Sequence, residues 1–153
     1  MLTLRSARAD ELSALSDLCL RSKAVWGYDA AFMAACRAEL MLHADELTST
    51  HIQVAESADG SIAGMAQVKV TGPDAELSKL FVDPGRIRDG AGRLLFGWAA
   101  NTARDLGAVR MIIDADPDAA GFYRRMGAQI ERMVPSGSIP GRMLPQLVVR
   151  LGG

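Results

Sequence analysis

At 153 residues the chain has the length of one domain with one core, so a single site is expected. Hydrophobic residues make up 49% and charged residues 23%, which excludes a disordered, highly charged chain. The 17 basic and 18 acidic residues are interspersed and leave a net charge of -1, so no basic footprint points to nucleic acid as a partner.

Leu2 and Leu4 alternate with polar residues as a first strand does. Neither this N-terminus nor any later stretch has the apolar run of a signal peptide or a membrane span, so a cytoplasmic, non-membrane protein is expected. From Ala9-Asp10-Glu11 an amphipathic helix opens, with Leu12, Leu15, Leu18 and Cys19 on one face. Trp26-Gly27-Tyr28-Asp29 breaks it from a second helix carrying Phe32, Met33, Cys36, Leu40 and Met41. Cys19 and Cys36 lack the spacing of a redox or zinc pair and read as buried, reduced thiols. His43 and His51 have no partner at metal-ligand spacing, and no metal is assigned.

Two strands, 51–56 and 61–70, flank Ala58-Asp59-Gly60, a turn that favours an antiparallel hairpin. A strand over 76–82 runs into Asp83-Pro84-Gly85, then Gly90-Ala91-Gly92, then a helix bearing Leu94, Leu95, Trp98, Ala99 and Leu106 and stopped by Gly107. A strand over 109–114 follows, and Asp116-Pro117 caps a short helix ending at Met126. The spacing predicts two more strands, 128–134 and 146–151, separated by a Ser/Gly/Pro loop. This order describes a mixed α/β or α+β domain of three layers over residues 1–153.

The segment with chemical content is the glycine loop. A helix N-terminus preceded by glycines aims unpaired N–H groups and the positive end of the helix dipole at one spot, where a phosphate is stabilised. Ile87, Arg88, Asp89, Gly90, Ala91, Gly92 and Arg93 offer that arrangement, with Arg86 adding charge. Gly85 and Gly90 have the spacing of a nucleotide-triphosphate loop, but Ala91-Gly92 stand where Lys and Ser/Thr must be. A dinucleotide fingerprint fails too, because Leu95 occupies the third glycine.

Leu80-Phe81-Val82-Asp83-Pro84, then Ile87 to Arg93, then Ala120-Gly121-Phe122-Tyr123-Arg124-Arg125-Met126-Gly127-Ala128 together resemble the GNAT superfamily of acetyl-CoA-dependent N-acetyltransferases. The resemblance implies a central sheet of about seven strands, splayed between the fourth and fifth and flanked by about four helices. It implies acetyl-CoA as co-substrate, with main-chain groups of Leu80, Phe81 and Val82 along the pantetheine arm and the loop amides on the diphosphate. Two positions depart from the family pattern. Ile87 stands where Gln or Arg is usual, with Arg86 or Arg88 expected to compensate, and Asp118 stands where many relatives place an asparagine near the pantetheine.

By the same resemblance Tyr123 is the acid that protonates the departing thiolate. Glu76, at the start of the strand leading to the co-substrate, is the first candidate base, with Asp114 and Asp116 as alternatives. Trp26 and Tyr28 between the first helices, and Arg142 near the C-terminus, are expected to bind the acceptor, an amine of small-molecule or amino-acid-like kind. A non-catalytic acyl-CoA or metabolite sensor is the alternative, and a glycine loop that is only a turn is a third. A homodimer stays open as an assembly.

Overall fold

The structure is a computed structural model that describes residues 1–152. Period-two alternation builds seven strands: β1 (Thr3–Ser6), β2 (His51–Glu56), β3 (Ile62–Thr71), β4 (Asp74–Val82), β5 (Arg110–Asp114), β6 (Gln129–Pro135) and β7 (Met143–Arg150). They form one sheet in the order β1-β2-β3-β4-β5-β7-β6. Every neighbouring pair is antiparallel except β4 and β5, which run parallel. The expected hairpin turn is present, with Gly60 at φ +87° and the Ser57 N–H donating to the Ser61 carbonyl at 2.8 Å.

The helices are α1 (Leu12–Ala24), α2 (Ala30–Leu40), α3 (Glu46–Ser49), α4 (Ala91–Asp105) and α5 (Ala120–Arg125). The single turn α3 is additional to the sequence expectation; it is too short for an apolar period to register. On one face of the sheet Leu15, Leu18, Cys19 and Cys36 of α1 and α2 pack on Val54 and Met65. On the other, α4 and α5 pack on Ala66, Val68, Leu77, Met111, Ile113 and Leu147. Two cores on the two faces of one sheet make the three layers.

Two expectations are corrected by packing. The stripe of α4 against the sheet is Ala91, Leu95, Ala99 and Ala103, with Phe96 beside it, whereas Leu94 and Leu106 are 44% and 50% exposed. Alanines at 91, 99 and 103 let the helix press close, so only Leu95 and Ala99 of the residues named from sequence lie on the buried face. The last strand begins at Met143 rather than at 146. Pro145 sits inside it, opposite Met133, and its carbonyl accepts the Ala115 N–H at 3.0 Å. Among the described residues no helix is long and apolar enough to cross a membrane.

Candidate active site

The sheet opens at its one parallel pair. β4 and β5 are paired only over Asp74–Glu76 and Arg110–Ile112, while β4 stays paired with β3 through Val82 and β5 with β7 through Asp114. From Leu77 onward β4 therefore has one edge with no strand on it. The backbone of Leu80, Phe81 and Val82 lies along that open edge, which is where an extended ligand can pair with a strand.

At the end of β4 a 3-10 turn over Pro84–Asp89 replaces the irregular loop. Gly90 then starts α4 at φ +85°, and no side chain caps the helix, so its first amides keep donor capacity. The two glycines differ in role. A Cβ at Gly90 would meet nothing within 4 Å, so its backbone twist is what requires glycine. A Cβ at Gly92 would lie 3.3 Å from two ring atoms of Phe122, so Gly92 serves the packing of α4 on α5.

Ile87, Arg88, Asp89 and Arg93 are exposed around this turn, and Ala91 is buried. Arg86 is engaged elsewhere: its guanidinium donates to the Ser57 hydroxyl and lies 3.8 Å from Asp59. Of the two arginines expected to compensate for Ile87, Arg86 is thus engaged and Arg88 is exposed. Asp118 is exposed in the turn Pro117–Ala119, its N–H held by Asp116.

Tyr123 projects from α5 with 7% of its surface exposed, against Phe122 at 5.2 Å and Phe96 at 6.2 Å between ring centres. It lines a cavity of about 540 Å³ shared with Glu76, Leu80, Phe81, Trp26 and Arg142. Burial holds its phenol well above the ordinary tyrosine value, so the proton stays on at neutral pH. Glu76 is exposed on β4, opposite Lys69 of β3 and Ile112 of β5. Asp114 is exposed and accepts from the Gln146 amide at 2.9 Å.

The remaining predicted residues converge less directly. Trp26 is 48% exposed on the cavity rim. Tyr28 donates to Asp116 at 2.6 Å and accepts from Arg142 at 2.8 Å, so the polar groups of Tyr28 and Arg142 meet one another.

A second polar group in the cavity wall was not foreseen. Gln67 of β3 is 1% exposed, and its amide donates to Glu46 at 2.8 Å and to Thr50 at 3.1 Å, while its carbonyl accepts from Lys79 at 3.2 Å. Burial pushes the Glu46 carboxyl up, but the Gln67 amide, the His43 N–H and Lys79 outweigh it and hold it below the usual range. The only sequence signal was a glutamine inside the apolar run Ala63 to Val68. Among the described residues no group of three or more His, Cys, Asp or Glu side chains is gathered as a metal site would need.

The open strand edge and the buried tyrosine line one cleft, and the uncapped start of α4 follows the turn after that strand, features that suit an extended ligand with an anionic end. Comparison with known proteins points the same way. The acetyltransferase (GNAT) family profile matches residues 18–128. No curated protein sequence matches the chain. A GCN5-related N-acetyltransferase of Rhodopseudomonas palustris superposes with a TM-score of 0.80 at 20% identity, over 97% of this chain and 94% of its own. The PaiA N-acetyltransferase of Thermoplasma acidophilum, in complex with coenzyme A, gives 0.78 at 16%, over 98% and 99%. YncA of Salmonella typhimurium, with its cofactor acetyl-CoA, gives 0.72 at 20%, over 100% and 95%. At these identities the likeness to the solved structures is one of fold.

Proposed function

The chain belongs to the GNAT family of acetyltransferases, and from that premise we propose that it acetylates the amine of a small-molecule or amino-acid-like acceptor by direct attack in a ternary complex. The observation that carries this reading is the cleft left where β4 and β5 part, with buried Tyr123 facing into it. Its volume of about 540 Å³ lies within the range of small-molecule sites.

Acetyl-CoA, when bound, supplies an acyl group activated as a thioester. Amides of residues 87–93 would hold its diphosphate, main-chain groups of Leu80, Phe81 and Val82 its pantetheine arm, with Asp118 nearby. N–H groups near Phe81 and Val82 would polarise the thioester carbonyl. The amine nitrogen forms its bond to the acyl carbon as the carbon–sulfur bond breaks.

Tyr123 then gives its phenolic proton to the departing sulfur, and the proton that the nitrogen sheds as the amide forms returns to the phenolate directly or through water. With ordinary values near 10 for the phenol and 8.5 for the thiol, the transfer to sulfur is uphill by about 2 kcal/mol. Burial makes the phenol a weaker acid, but it makes a thiolate in the same cleft a stronger base. Glu76 receives the ammonium proton directly or through water, being the carboxylate of β4 that lines the cleft, whereas Asp74 is paired with Arg110. Trp26, Tyr28 and Arg142 wall the acceptor side. The cytoplasm is the setting we assign, because Cys19 and Cys36 are both buried free thiols.

The test is thiol release. Purified protein with acetyl-CoA and a pooled amine library is expected to liberate CoA and to yield acetylated products seen by mass spectrometry. No release above the amine-free rate across chemically diverse amines would overturn the proposal.

A further inference from the structure

Four separate segments meet at one carboxylate. Asp116 follows β5, and its Oδ1 accepts the Asp118 N–H at 2.9 Å, which starts the turn leading into α5. Its Oδ2 accepts from the Tyr28 hydroxyl at 2.6 Å and lies 3.5 Å from both Lys23 Nζ and an Arg142 nitrogen. Lys23 ends α1, Tyr28 lies between α1 and α2, and Arg142 lies in the turn between β6 and β7.

The group is packed as well as paired. The Tyr28 ring lies on Phe32 with centres 3.9 Å apart and planes 15° off parallel. Arg142 stands over both rings at 5.1 and 4.8 Å, and Lys23 at 5.7 and 5.8 Å. The side chains of Asp116, Lys23 and Arg142 are only 11%, 16% and 19% exposed, so their electrostatic contacts are less screened than surface pairs. Burial pushes the Asp116 carboxyl up, yet Tyr28, the Asp118 amide and the two cations hold it below its ordinary value. Burial and Asp116 together push the Tyr28 phenol up to about 12, so it remains a neutral donor. Capping the turn needs one oxygen and is met equally by Asn, so the partners of Oδ2 need a different reason.

We propose that Asp116 is a positioning residue, whose carboxylate clasps Lys23, Tyr28 and Arg142 and thereby fastens both acceptor-side walls of the cleft to the turn that begins the Tyr123 helix. Naming these walls acceptor-side rests on the function proposed above; the clasp itself rests on the contacts. Trp26, left out of the clasp, remains free on the rim to meet an acceptor.

Trp26 and Trp98 are the two tryptophans, so a Trp98→Phe background makes Trp26 the reporter. Asp116→Asn in that background keeps the cap and removes the charge. It is expected to raise acrylamide quenching of Trp26 and to speed hydrogen exchange about tenfold in both 24–29 and 136–142, with β3 and β4 unchanged. For the amine that the pooled screen returns, KM is expected to rise about fivefold or more while KM for acetyl-CoA holds within about twofold. Unchanged quenching and exchange in both segments would overturn the clasp, and so would equal loosening of β3 and β4, which would mean a general loss of fold. Should the Asn variant not fold, Arg142→Gln leaves the cap untouched, and faster exchange at 24–29 is again expected; no change there rejects the clasp. Failure of the wild type to bind CoA in calorimetry would count against the proposed function alone, because the exchange experiment needs no ligand.

Discussion

Under the proposed function Tyr123 is the acid that protonates the departing thiolate. Its ring is packed on Phe96 and Phe122 and its hydroxyl has no hydrogen-bond partner among the described residues, so removing the oxygen leaves the packing in place. Tyr123→Phe is expected to slow CoA release about 100-fold or more, the usual range for loss of a general acid, with CoA affinity unchanged by calorimetry. Gln67 is the converse, a buried residue whose value lies in its polar atoms. Gln67→Leu removes the side-chain partner of Glu46 Oε2 and of Lys79 and one of the two partners of the Thr50 hydroxyl, and is expected to cost about 2 kcal/mol in urea unfolding. Glu11, 6% exposed, shows the effect of pH: the Arg5 hydrogen bond holds its carboxyl below the ordinary value against the opposing effect of burial. A depressed carboxyl contributes stability that is present above the ordinary glutamate pKa and lost as pH falls through the folded value. Thermal melts from neutral pH downward are therefore expected to show an acid limb that Glu11→Gln flattens. Tyr123 and Glu76 could be proposed from sequence because a motif and a strand end mark them, and both line one cavity. Gln67 could not be, since a polar residue in an apolar strand looks the same before and after it finds its partners.

At the scale of elements, nearly every strand and helix was legible from period and punctuation, because Gly60, Asp116-Pro117 and Gly127 act locally. The faces were less legible. In α4 the close approach to the sheet is made by alanines, and Leu94 and Leu106 point outward, a choice made by the sheet rather than by the helix. Two glycines carry sharp expectations. Gly90 holds φ +85° where α4 begins, so Gly90→Ala is expected to destabilise by about 1 kcal/mol and to weaken CoA binding, with Gly90→Asn milder on stability. At Gly64 in β3 a Cβ would lie 2.9 Å from the Phe81 carbonyl oxygen and 3.1 Å from Leu95 Cδ1. Gly64→Ala must therefore move β4 or α4, and is expected to cost about 1–3 kcal/mol in chemical unfolding.

The whole molecule supplies what no segment contains. β4 parts from β5 beyond Glu76 while β5 stays paired with β7 through Asp114, and the clasp at Asp116 gathers residues 23, 28, 116 and 142. The resemblance implied the splay; Tyr28, Arg142 and Asp116 stood out in sequence singly and for other roles, while nothing joined them or pointed to Lys23. The open edge of β4 and the buried phenol come to one cleft only on folding, and the proposed function unites the start of α4 with them. A crystal structure with bound acetyl-CoA tests that union most directly. The diphosphate is expected on the amides at the start of α4, the pantetheine arm along Leu80 to Val82, and the thioester sulfur within hydrogen-bond reach of the Tyr123 hydroxyl. A co-substrate seated elsewhere, with the β4 edge covered by protein and Tyr123 turned away from the sulfur, would contradict the account.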